Sequence, residues 1–156
     1  MTPARAVAID LDVLGDTHSL WNAWLASAGG VLGVDPVGLP SDRGEAAGEL
    51  DRRQVGNWRA LLERYGEDRA PVYLRRDAEV SAALRALAAS GQVIGVFTDA
   101  PEPLARVALA QLGAARRISA LETGPRAVER LLATLGADAA VVRTREELTA
   151  VAGAAK

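Results

Sequence analysis

Two carboxylates one residue apart, Asp10 and Asp12, close the apolar run Ala6-Val7-Ala8-Ile9. A short apolar run of this kind predicts a strand buried on both faces of a parallel sheet. Open α/β sheets collect ligands outside the carboxyl ends of their strands, so both acids fall where chemistry is done in such folds. An offset of two turns both side chains to the same side while the chain stays extended. A buried strand has no packing use for two acids at its end. The plainer alternative is a strand running into a turn, where Asp is common.

A second apolar run, Val93-Ile94-Gly95-Val96-Phe97, ends in Thr98-Asp99. It predicts another buried strand. Asp77 can cap the helix before it, which carries Val80, Leu84 and Leu87 and closes at Gly91. Pro101 to Leu112 reads as a helix with Pro in its first turn and Gly113 after its end. Ile118 to Leu121 is a short strand, Pro125 to Leu135 a helix stopped by Gly136, Ala139 to Val142 a last strand and Thr144 to Ala152 a last helix. This alternation implies a parallel sheet with right-handed crossovers, the first strand central. The region between the first two strands breaks the alternation. It predicts a helix over Leu20 to Ser27 ended by Gly29-Gly30, a Gly- and Pro-rich loop over 31–48, and a helix from Glu49 to Tyr65 stopped by Gly66.

Taken in order, Asp10-Leu11-Asp12, Asp16-Thr17, a helical insertion, a strand ending in Thr98 and the Pro-led helix reaching Leu112-Gly113 resemble the haloacid-dehalogenase (HAD) superfamily. The resemblance covers nearly the whole chain. It implies a three-layer α/β sandwich with a Rossmann-like sheet, one unit over 1–156 with its core about 1–17 and 71–156 and a small helical cap about 18–70. It also implies phosphomonoester hydrolysis. Asp10 matches the aspartate nucleophile that forms an aspartyl-phosphate. Asp12 matches the general acid that protonates the leaving oxygen, and Thr98 the hydroxyl that holds the phosphoryl group. Mg²⁺ would sit on the Asp10 carboxylate and the Asp12 backbone carbonyl.

The chain departs from that pattern in three places. The family has Gly directly after the second Asp; here Val13-Leu14 follows Asp12. The family places a Lys before a later helix; the only Lys here is Lys156, and Arg126 is the nearest cation for phosphate. After the last strand the family has an acidic, metal-holding loop; here stands Arg143-Thr144-Arg145-Glu146-Glu147. Glu147 aligns as a metal ligand if one residue is missing, but Thr144-x-x-Glu147 is also the spacing of a capping box, the favoured reading. Two functions follow: a Mg²⁺-dependent phosphatase, or a catalytically impaired relative that binds a phosphorylated ligand or a protein partner.

The remaining residues read plainly. His18, the only histidine, has no partner for a zinc site and belongs near the start of the insertion helix. Trp21 and Trp24 share a helix face and read as packing. Asp99 reads as a helix cap before Pro101, Asp16 as a turn residue, and Arg75-Arg76 and Arg116-Arg117 as solvated surface pairs. At 156 residues, 49% apolar and 24% charged, the chain has the composition of an ordinary soluble domain. A net charge of −2 gives no basic footprint for nucleic acid. With no cysteine, thiolate chemistry is excluded. The absence of a signal segment or a spanning apolar run predicts a cytoplasmic protein with no membrane partner.

Overall fold

A computed structural model describes residues 5–155. The chain begins with β1 (Ala6–Asp10), followed by one helical turn, α1 (Leu11–Leu14). Three helices come next: α2 (Thr17–Leu32), α3 (Arg43–Arg52) and α4 (Trp58–Tyr73). The rest alternates: α5 (Ala78–Ala89), β2 (Val93–Thr98), α6 (Glu102–Gln111), β3 (Ala120–Thr123), α7 (Ala127–Leu135), β4 (Ala140–Val142) and α8 (Arg145–Ala154). The strands form one parallel sheet in the order β3-β2-β1-β4, flanked by helices. Thus β1 is interior, as its unbroken apolar run requires. Asp10 pairs in register with Phe97, which sets the end of β1 beside Thr98.

The two faces of β1 are used differently. Val7 and Ile9 join the main core, while Ala8 packs with Phe97, Ala127 and Leu131 beneath α7. Gly95 makes the close approach of α7 possible: a Cβ there would lie 2.8 Å from Leu131 Cδ1 and 2.9 Å from Leu135 Cδ1.

The insertion departs from the sequence reading. α2 continues through Gly29-Gly30 and ends at Gly33, whose φ of 69° is the left-handed conformation of a helix stop. Gly29 is inside the helix because Val34 and Pro36 crowd it. The expected helix over 49–65 is two helices. Gln54 and Gly56 take positive φ at the break, and Asn57 accepts from the Ala60 N–H to start α4. Gly66 does not stop α4, which runs on through Pro71 to Tyr73. Its missing side chain admits Val107 of α6. The expected loop over 31–48 holds a 3₁₀ turn, Pro36–Gly38, and the start of α3. Trp24 stacks between Trp21 and Trp58 at centroid distances of 5.2 and 6.0 Å, as packing. These tryptophans belong to the same apolar cluster as Val7 and Ile9, so the insertion shares the core of the sheet. Among the described residues no helix is long and apolar enough to cross a membrane.

Candidate functional site

Beyond the carboxyl ends of β1, β2 and β3 lies a cavity of about 450 Å³, lined among others by Asp10, Asp12, Thr98, Arg126 and Arg143. The expected residues Asp10, Asp12, Thr98 and Arg126 therefore share one space. Glu147 is not among its lining residues. Its N–H donates to Thr144 Oγ1 at 3.1 Å and its Oε1 accepts from the Arg143 N–H at 3.2 Å. Thr144 thus caps α8 and Glu147 bonds the backbone just before it, the capping role that the T-x-x-E spacing favours over metal ligation.

Asp10 ends β1 and caps α1, its Oδ1 accepting from the Asp12 N–H at 3.0 Å. Burial raises its pKa above the ordinary carboxylate value, and the charge of Asp12 adds to this. The Asp12 N–H, Arg143 and Arg43 oppose the rise without cancelling it. With the Gly after Asp12 missing, the chain coils at once, and Asp12 lies inside the turn of α1.

The Asp12 carboxylate accepts three hydrogen bonds. Its Oδ1 accepts from Thr17 N at 2.9 Å and Thr17 Oγ1 at 2.7 Å. Its Oδ2 accepts from Arg43 Nη2 at 2.9 Å and lies 3.0 Å from His18 Nδ1. His18 sits at the start of α2, as expected, and lines the cavity. Asp16 caps α2, accepting from Ser19 N at 3.0 Å.

Arg43 is the residue that sequence reasoning missed. It opens α3, yet its side chain is only 1% exposed. Its Nε donates to Asp99 Oδ1 at 2.9 Å, its Nη1 to Thr17 Oγ1 at 2.7 Å and its Nη2 to Thr98 Oγ1 at 3.3 Å. Nη2 also lies 2.8 Å from Asp99 Oδ1, besides its bond to Asp12. The Arg43 N–H donates to Asp99 Oδ2 at 3.0 Å. Asp99 therefore holds the start of α3 and does not cap α6, whose N-cap is Pro101. Burial pushes the Asp99 carboxyl up, but the backbone N–H and guanidinium of Arg43 outweigh it and leave its pKa lowered. Next to Arg43, Gly44 lies against Pro125: a Cβ would approach the ring to 2.9 Å. The insertion is thereby seated on the turn that follows β3.

That turn forms the other wall. Gly124 and Arg126 both take left-handed φ, 82° and 58°. For Arg126 this conformation is uncommon and costs energy. It delays the start of α7 from the expected Pro125 to Ala127. No side chain caps α7, and its first turn borders the cavity. Arg143 closes the space from beyond β4, its guanidinium 5.1 Å from the centroid of Phe97. Arg145 turns away, bonding Asp77 Oδ2 at 2.9 Å and the Val13 carbonyl at 3.3 Å. Among the described residues no three acids or histidines converge to hold a metal.

No protein-family model matches the chain, and no curated protein matches it.

Proposed function

We propose that the chain is a HAD-like three-layer α/β unit with a Rossmann-like sheet and a small helical cap, and that its cavity binds a small phosphorylated molecule without hydrolysing it. The observation that carries this reading is the engagement of Asp12 by Thr17 and Arg43. A carboxylate offers about four acceptor positions; three of those of Asp12 are taken by Thr17 N, Thr17 Oγ1 and Arg43, and the His18 ring stands 3.0 Å from Oδ2. Held in this way, Asp12 is poorly disposed to carry a proton to a leaving oxygen. The opposite wall suits an anion. Arg126, Arg143 and the uncapped first turn of α7 border the same space, with Glu129 of that turn and Asp42 as acids beside them. Guanidinium groups and helix N-termini both favour phosphate.

Asp10 favours a second reading, a phosphatase acting through an aspartyl-phosphate. Its carboxylate lines the cavity, and among the described residues its hydrogen bond comes from one backbone N–H. In that reading the carboxylate attacks phosphorus, the leaving oxygen takes its proton from water, and a second water releases phosphate. The test is titration calorimetry with inorganic phosphate beside a turnover assay on a panel of phosphomonoesters. Binding without turnover, retained in Asp10→Asn, is expected. Turnover that Asp10→Asn abolishes would establish the phosphatase instead.

A further inference from the structure

The geometry points to a site that runs on resident arginine cations in place of Mg²⁺: Arg43 bridges Asp12 and Asp99, Arg143 lines the cavity with Asp10, and a phosphorylated ligand binds with no metal. This deepens the binding reading above and rests on it for the identity of the ligand.

The residues present do not fit the metal that the resemblance implies. Mg²⁺ demands near-octahedral oxygen ligands at about 2.0–2.1 Å. The Asp10 carboxylate is engaged in capping α1, accepting from the Asp12 N–H at 3.0 Å. Beyond β4, Arg143 lines the cavity where an acidic ligand would be required, and Glu147 is committed to its capping role. A positive charge there repels a divalent cation.

What a metal would supply is already built in. The Arg43 guanidinium stands between the Asp12 and Asp99 carboxylates at 2.9 and 2.8 Å and touches the Thr98 hydroxyl at 3.3 Å. It is buried, and three of its four side-chain partners sit on the sheet core: Asp12, Thr98 and Asp99. A buried guanidinium holding two carboxylates is a fixed, planar counter-charge. Arg143 supplies the second one, lining the same cavity as Asp10. The anion therefore meets guanidinium charge on the cavity wall and, behind it, an acid pair whose charge Arg43 partly offsets.

The decisive experiment is calorimetry on the full chain with MgCl₂ alone, then with inorganic phosphate in the presence of Mg²⁺ or of a chelator. Wild type is expected to show no saturable Mg²⁺ binding, and a phosphate Kd unchanged within about twofold between the two conditions. Saturable Mg²⁺ binding, or phosphate binding that requires Mg²⁺, would overturn the inference. Arg43→Gln, checked for folding by circular dichroism, should gain a Mg²⁺ site, because it releases Asp12 and Asp99 as a free acid pair. A folded variant that gains none would count against Arg43 as the stand-in. If that variant does not fold, Arg143→Gln carries the test. It should weaken phosphate about tenfold, the worth of one charge-assisted hydrogen bond, and an unchanged Kd would overturn the role of Arg143. Failure of phosphate to bind under any condition would sink the ligand reading alone. The Mg²⁺ titrations of wild type and Arg43→Gln would still decide the resident-cation inference.

Discussion

Arg43→Met removes the guanidinium and keeps most of the apolar stem, so it isolates the charge. It deletes the side-chain bonds to Asp99 at 2.9 Å, Thr17 at 2.7 Å, Asp12 at 2.9 Å and Thr98 at 3.3 Å. Two carboxylates then confront each other with no cation between them. Removing one partner of a fully buried pair costs about 3–5 kcal/mol. Here the acids are not fully buried: the Asp12 and Asp99 side chains keep 24% and 30% exposure, so water recovers part of the loss. We expect a destabilisation of about 2–4 kcal/mol. For a domain of this size each kcal/mol lowers Tm by about 2–4 °C, giving a fall of roughly 4–16 °C. Urea denaturation and thermal melts by circular dichroism measure both quantities. A double-mutant cycle with Asp99→Asn should show coupling of about 0.5–3 kcal/mol. A loss below about 0.5 kcal/mol, the ordinary effect of a surface change, would refute the view that Arg43 clamps the insertion to the sheet.

Three further outcomes are expected. Asp10→Asn should raise stability at neutral pH, because burial lifts the native pKa of Asp10 above its unfolded value and the ionised form is a strain on the fold. The gain should shrink as pH falls through the native value and vanish below about 3.8; a melt at neutral pH no higher than wild type would contradict it. Asp99 has the opposite sign: its native pKa is lowered, so its contribution is full above the unfolded value and is lost as pH falls through the native one. Acid titration of Asp99→Asn should therefore show a weaker loss of stability below about pH 4 than wild type shows, and identical acid limbs would exclude Asp99 as a source. Gly95→Ala should cost about 1–3 kcal/mol through overpacking, since its Cβ would lie 2.8 Å from the buried Leu131; an unchanged urea midpoint would mean that α7 yields freely.

The sheet was legible because β1, β2 and β4 are written as apolar runs between turn residues, and α5 because Asp77 announces it. The insertion was harder to read because its glycines serve packing. Gly29 and Gly66 read as helix stops from composition, but they sit inside helices where Pro36 and Val107 leave no room for a side chain. Asp10, Asp12 and Thr98 were legible as a group through the order of motifs. Arg43 was not, because its partner Asp99 lies 56 positions away and nothing local marks an arginine as buried. One signal was present. Asp42-x-x-Glu45 has the spacing of a helix start, and Asp42 does accept from the Glu45 N–H at 2.9 Å. That start places Arg43 in the first turn of α3, though not beneath it.

The position of the insertion also bears on the order in which the chain assembles. β1 pairs with β2 across all of positions 11–92, and with β4 across a still longer span. Loop length costs little at equilibrium, only about 0.6 kcal/mol per doubling, but non-local pairing is slow to form. The segment from β2 to α7 contains the short crossover that joins β2 to β3 and can organise from nearby contacts. β1 has no sequence-local strand to nucleate it and is expected to join the β2–β3 pair late; β4, whose sheet neighbour is β1, can add only after it. Pulse-labelled hydrogen exchange during refolding should protect β2 and β3 amides before those of β1; simultaneous protection would refute this order. Because Asp10 ends that late strand and Arg143 follows β4, which pairs with it, this order would complete the cavity wall only at the end of assembly.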